Sequence, residues 1–340
     1  MKAAIYKGDH KIEISDIPDI ELQGRKGAIV KTIGCGLCGS DLVKIKKNLV
    51  SPGTVLGHEV VGLIKEINTD LNVSFKIDDK VAVAHHVPCY DCKYCHQKSY
   101  SMCSNFKNTN LEPGGFSEYI FLSEQHLKYN TIKVPEEVND LNASLMEPSG
   151  CILRALDTAN IQSEQSVLIV GLGFIGLLFL QALKIYNCFI LGCDIKVDRI
   201  EYALEIGIGC AFNSLGLDNS VDIINKTINF NGVDLVILAS GSTESIELAL
   251  KSVRDGGSIL VFASIPDENV GYMNNDIYYR ELKVFSVYSS APMYLIKAME
   301  LIKTGKIKMD KYCEIIDLED INLAIDKIVS HQAIKVYLKL

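Results

Sequence analysis

The chain has 340 residues, 48% apolar and 22% charged, with a net charge of −8. That length exceeds a single hydrophobic core and implies two domains, and the charge, with no long basic run, excludes the electrostatic footprint of a nucleic-acid or anionic-membrane binder. Eleven cysteines, four of them packed like ligands, point to a reducing compartment rather than a disulfide framework, so a cytoplasmic location is expected.

The first fourteen residues alternate like a strand and carry no signal-peptide core. Short strands over 27–33 and 60–67 follow, separated by glycines, prolines and polar turns, with no helix-length periodicity between them; this predicts a β-rich domain. Cys89, Cys92, Cys95 and Cys103 then form C-x2-C-x2-C-x7-C within PCYDCKYCHQKSYSMC. Thiolates this close can converge on one tetrahedral ion, and four sulfurs leave no open position, which describes a structural zinc site. A bacterial ferredoxin run begins the same way but continues x3-C-P, whereas here the fourth cysteine follows seven residues and precedes Ser104. Free core cysteines are the other reading, against which stand the polar flanks Asp91, Lys93, His96, Gln97 and Lys98.

The second signature is SVLIV-GLGFIG. Residues 166–170 read as a buried strand, and Gly171, Gly173 and Gly176 complete G-x-G-x-x-G, with Phe174 and Ile175 opening an apolar helix to Tyr186. Gly171 allows the turn, Gly173 lets backbone N–H groups approach a pyrophosphate, and Gly176 lets helix and strand pack closely. The next strand, 188–194, ends on Asp194, 18 residues after Gly176 and placed to accept hydrogen bonds from ribose hydroxyls. Ile195 offers no cation to a 2′-phosphate, so NAD is expected over NADP, with Lys196 and Arg199 the nearby cations that oppose this reading. The same stretch is the longest apolar run, but its glycine spacing and Gln181 make it a strand, loop and helix rather than a membrane span.

Helices over 197–206, 218–228 and 243–253 alternate with strands over 233–239, 257–263 and 281–287, as in a parallel sheet covered on both faces. An amphipathic helix over 293–303, a strand, a helix over 320–329 and a strand over 333–338 finish the chain. Linkers are expected near Pro148 and Pro292, giving one domain from 1–148 with 292–340 and a second from 149–291.

Cys38, His58, Glu59 and Glu147, in GLCGSD, LGHE and MEPSG, are residue types that bind zinc, although each by itself is more often a structural residue. With them in place the chain resembles the zinc-dependent medium-chain dehydrogenase/reductase family over its full length, through GCGLCGSDL, VLGHEVVG, the cysteine lobe, PGGFSEYI, MEPSGC, VGLGFIG and GGSILVFA. The resemblance implies an α/β protein: a GroES-like β-rich catalytic domain plus a doubly wound, parallel-sheet Rossmann domain that binds NAD. It implies two zinc ions per chain. Cys38, His58 and Glu147 would hold the catalytic ion, with Glu59 binding it directly or through water, and Asp41 would orient His58. Asp41 reads equally as a helix cap. Glu147 stands where alcohol dehydrogenases have a second cysteine, which is similar to the polyol and threonine branches. Ser40 matches the hydroxyl that takes the substrate proton; the histidine that many relatives carry three residues later is Val43 here, leaving the ribose, water or Lys44 to continue the relay.

The implied activity is oxidation of a secondary hydroxyl in a small polyhydroxylated compound, and AHHVPC, with His85 and His86, is similar to cyclitol dehydrogenases. Threonine or a simple secondary alcohol is the alternative substrate. A zinc-free quinone or enoyl reductase is disfavoured by Cys38, His58 and Glu147, and an inactive NAD sensor or scaffold by the complete metal and relay positions. The strand over 281–287 is expected to be an edge that continues the sheet into a second subunit, in a homodimer or homotetramer.

Overall fold

The structure, a computed structural model, describes residues 1–264 and 274–340. The chain divides into two units, Met1–Gly150 with Ser290–Leu340, and Cys151–Ser289. In the first, β1 (Lys2–Gly8) and β2 (Lys11–Asp16) form a hairpin that turns through Asp9 and His10, at φ 49° and 66°, where the alternation suggests one strand. β3 (Gly27–Leu37), β4 (Glu59–Asn68), β5 (Lys80–Val83), β6 (Tyr119–Ser123) and β7 (Thr131–Lys133) follow.

This segment also holds helices that the β-rich reading omits. Gly39–Lys46 is only eight residues long, too short to register as a period. Met146–Thr158 carries Pro148 in its first turn, where a missing N–H costs no intrahelical bond, so the proline marks a helix start and not a linker.

In the second unit, β8 (Ser166–Val170), β9 (Phe189–Asp194), β10 (Cys210–Asn213), β11 (Val233–Leu238), β12 (Val253–Val261) and β13 (Lys283–Ser286) form a parallel sheet in the order β10-β9-β8-β11-β12-β13. The order reverses between β8 and β11, so the crevice beyond their carboxyl ends is a topological switch point. Leu168, Ile169, Val236, Ile237 and Leu260 are fully buried, which is why these strands read as continuous apolar runs. The Asp234 carboxylate accepts from the backbone N and Oγ of Ser166 and from Arg254 Nε, each at 2.8 Å, binding β8, β11 and β12 at their amino ends.

The chain then returns to the first unit through the helix Pro292–Lys303, β14 (Cys313–Asp317), the helix Ile321–Val329 and β15 (Lys335–Lys339). β14 and β15 extend the sheet β14-β15-β3-β4-β5-β7, with β6 paired to β3. Val336 and Leu338 alternate inward onto a core that contains Val30, Leu37, Ile64, Phe116 and Ile120. β15 is antiparallel to β3, with Val336 opposite Leu37. Among the described residues no helix is long and apolar enough to cross a membrane.

Candidate metal centres and cofactor site

The four lobe cysteines come together. Sγ–Sγ separations are 3.5 Å for Cys89–Cys103, 3.6 Å for Cys92–Cys95 and 3.9 Å for Cys89–Cys95, and all four sulfurs lie within 4.8 Å of one another. Zinc–sulfur bonds of about 2.3 Å give a tetrahedron with edges of about 3.8 Å, so the spacing suits one zinc ion. A cluster with several irons would spread its cysteines wider. The separations are also far beyond a disulfide bond. Backbone N–H groups of Cys89 and Asp91 point at the sulfurs of Cys103 and Cys89, at 3.4 and 3.5 Å, and favour thiolates. Burial pushes the Cys103 thiol up, but N–H donation at Cys89 and Phe106 outweighs it and brings the pKa to about 6. Tyr100, Phe106 and Ala291 pack around this knot, which gives a lobe with little apolar core of its own.

The second set is Cys38, His58 and Glu59, each with one ligand atom within 4.8 Å of the others. β3 ends at Leu37, so Cys38 falls at the N-cap of the helix Gly39–Lys46. Asp41, fully buried in that helix's first turn, serves as the cap read from the sequence and lies beside His58. Its Oδ2 accepts from the Cys38 N–H at 3.2 Å, as a cap, and its Oδ1 lies 3.3 Å from His58 Nδ1, leaving Nε2 for an ion. Burial alone would lower the His58 pKa, yet the charges of Asp41 and Cys38 lift it well above its ordinary value; the site attracts positive charge. A thiolate, an imidazole and carboxylates are a zinc donor set, and the residues fit that ion. Ser40 is exposed and donates to Cys38 Sγ at 3.3 Å. Val43 is exposed two residues beyond Asp41. Glu147 is buried in the first turn of Met146–Thr158 and is not one of the three converging residues.

Glu59 has a partner that the sequence reading missed. Lys335, 3% exposed, donates to Glu59 Oε1 at 2.8 Å, and its Nζ lies 2.5 Å from Oε2. No local pattern singles it out: β15 reads KVYLK, and its other lysine, Lys339, is exposed. Gly36 makes room for the carboxylate: a Cβ there would stand 1.9 Å from Oε2. The His58 ring also packs, tilted, against His85, with ring centroids 4.6 Å apart, and His85 likewise against His86 at 3.7 Å. Burial, then the charge of His58, holds the His85 pKa well below its ordinary value, so the ring is neutral at pH 7.

In the second unit the glycine loop has the geometry of a phosphate cradle. Gly171 sits at φ +96°, a conformation that L side chains rarely adopt, and a Cβ on Gly176 would meet Gly171 O at 2.0 Å. Gly173 has open space where a side chain would be and caps the helix Phe174–Leu183, an N-terminus of the kind that suits an anion. The loop fits a dinucleotide pyrophosphate. Phe174 and Ile175 are half-buried in the first turn of that helix. Asp194 ends β9, with Oδ2 accepting from Leu172 N at 2.8 Å and Oδ1 from Lys196 N at 2.9 Å. Arg199 is buried on the helix Val197–Ile206, its Nε 3.7 Å from Asp198.

Two family profiles match the chain: the alcohol dehydrogenase GroES-like domain over residues 24–136, and the zinc-binding dehydrogenase over residues 175–304. D-xylulose reductase A of Aspergillus oryzae is 26% identical, with 97% of this chain and 94% of that protein covered. Sorbitol dehydrogenase of Bacillus subtilis is 27% identical over 90% of this chain and 86% of its own. Galactitol-1-phosphate dehydrogenase of Escherichia coli superposes over the whole of both chains with a TM-score of 0.88 at 23% identity, a likeness of fold.

Proposed function

This chain belongs to the zinc-dependent medium-chain dehydrogenase family, and from that premise we propose that it oxidises a secondary hydroxyl of a small polyol, sugar alcohol or cyclitol to a ketone, with NAD as acceptor. Zinc and NAD(P) are its cofactors. Bound zinc supplies a Lewis acid for the substrate oxygen, and the nicotinamide supplies the hydride acceptor.

The chain's own residues do the rest. Cys38, His58 and Glu147 hold the catalytic ion, and Asp41 fixes the His58 ring and its tautomer. Ser40 receives the substrate proton; Val43 cannot pass it further, so it leaves through the ribose, water or Lys44. Cys89, Cys92, Cys95 and Cys103 hold the second, closed zinc. Gly171, Gly173 and Gly176 leave the pyrophosphate its cradle, Phe174 and Ile175 carry the first helical N–H groups toward it, and Asp194 meets the ribose hydroxyls. The assembly is a homodimer or homotetramer, and the location is cytoplasmic.

The convergence of Cys38 and His58 with the Glu59 carboxylate, together with Glu147 in the sequence position where alcohol dehydrogenases have a second cysteine, supports the substrate reading. An oxygen-rich metal site suits substrates that present vicinal oxygens, and the names of the xylulose, sorbitol and galactitol-phosphate relatives agree with it. The test is NADH formation with sorbitol, ribitol, xylitol, inositols, phosphorylated polyols, threonine and ethanol. A polyhydroxylated secondary alcohol is expected to give the highest kcat/KM, since polar groups built to pair with several hydroxyls go unpaired with simpler alcohols. Ethanol as the best substrate would defeat the polyol reading.

A further inference from the structure

We propose that Lys335 is a positioning residue that holds the Glu59 carboxylate beside the catalytic ion rather than on it, so that one coordination position stays open for the substrate oxygen. The inference rests on the zinc dehydrogenase reading above. It begins with register. Val336 is paired with Leu37 and Glu59 with Gly36, so Lys335, Cys38 and Glu59 fall at the same end of three neighbouring strands. The C-terminal strand thereby delivers a cation to the converging set Cys38, His58 and Glu59, all within the first sixty residues.

Glu59 is contested. One of its carboxylate oxygens is within 4.8 Å of the ligand atoms of Cys38 and His58, close enough to join an ion held there. Lys335 grips both oxygens: its Nζ donates a hydrogen bond to Oε1 at 2.8 Å and lies 2.5 Å from Oε2, an ion-pair contact off the hydrogen-bonding direction. Oε2 is buried and accepts no hydrogen bond, so it retains lone pairs for a metal or for a water next to one. Gly36 closes around this oxygen so tightly that the carboxylate has a defined seat.

Charge counting gives Lys335 its necessity. Cys38 as thiolate, Asp41, Glu59 and Glu147 bring four negative charges that a divalent ion does not balance, and Lys335 supplies a third positive charge. Without it, Glu59 would be a buried carboxylate lacking a counter-charge, a costly arrangement, and the nearest cation it could reach would be the metal. Entry of Glu59 would fill the position that catalysis needs open.

The experiment uses full-length protein with Co2+ exchanged into the catalytic site. In Lys335→Met we expect a weaker visible absorption of cobalt as its coordination number rises, with two metal ions per chain retained. In the zinc-loaded protein kcat/KM for the best polyol should fall by roughly tenfold to a hundredfold, the range for residues that support metal ligands. Lys335→Arg should keep the wild-type spectrum, and Glu59→Gln with Lys335→Met, which removes both charges, should restore it. The double variant also covers the case in which Lys335→Met fails to fold. An unchanged cobalt spectrum in Lys335→Met, or a double variant that stays as altered as the single one, would overturn the proposal. Failure of the underlying reading looks different: wild-type protein would bind only the lobe metal and reduce no NAD.

Discussion

The Asp194 carboxylate is bonded to the loop it faces: its Oδ2 accepts the Leu172 N–H at 2.8 Å, joining the end of β9 to the glycine turn after β8. A residue expected to select the cofactor by its ribose thus also shapes the pyrophosphate cradle. Asn and Ala substitutions separate the two roles. Asp194→Asn keeps an oxygen for Leu172 and loses the charge that repels a 2′-phosphate; its ratio of kcat/KM for NAD over NADP should fall with a small change in KM for NAD. Asp194→Ala loses both, and its KM for NAD should rise further. A hydrogen bond of about 1–3 kcal/mol corresponds to roughly a tenfold to hundredfold effect. Wild-type protein with the higher kcat/KM for NADP would show that Lys196 or Arg199 decides the preference instead.

The closed zinc lobe should behave as a folding element. Cys95 and Cys103 are buried beside Phe106 and Tyr100, and few apolar residues hold the lobe otherwise. Cys95→Ser should lose about one zinc per chain and lower the melting temperature, because metal binding there is coupled to folding. Metal content measured by elemental analysis, if unchanged, would remove the zinc assignment from these four residues.

What was legible in the sequence follows from distance along the chain. The cysteine run and the glycine loop are local, and their spacing alone specifies convergence, as the sulfur separations and the Gly176 approach bear out. Helix and strand alternation from β8 onward was legible for the same reason, with boundaries displaced by a few residues where β12 begins early at Val253. The Cys38–His58–Glu59 set needed the family resemblance, since nothing local connects its two segments. Lys335 was not legible at all. It meets Glu59 across 276 positions, through a strand register that no local pattern encodes. Four-residue β10 and the helix through Pro148 were missed because a short run gives no measurable period and a proline reads as a break.

The Asp234 cluster gives a pH dependence of stability. Burial alone would raise the Asp234 pKa, but hydrogen bonds from Ser166 and the ion pair with Arg254 hold it below the usual carboxylate value. A depressed native pKa adds stability above the unfolded value, about 3.9 for aspartate, and that contribution is lost as pH falls through the native value. Asp234→Asn should therefore cost about 1–3 kcal/mol at pH 7. The gap between wild type and variant in urea unfolding should narrow below pH of about 4. A gap that is constant from pH 7 to pH 3 would mean that shape, not charge, provides the stabilisation.

Assembly is tested at β13. Among the described residues this strand pairs with β12 alone and is the edge of its sheet, with Val284 and Phe285 half-buried. Its four residues, Lys283–Ser286, leave one row of N–H and C=O groups unpaired, and such a row is satisfied when the same edge of a second copy lies antiparallel to it about a two-fold axis. Lys283 is exposed on the strand and discourages association with unrelated edges. Light scattering at micromolar concentration should give at least twice the chain mass of 37.5 kDa. Val284→Pro, which removes a donor and cannot continue the pairing, should shift the protein toward the monomer. A wild-type monomer, or a Val284→Pro protein with unchanged mass, would place the subunit contact elsewhere on the chain.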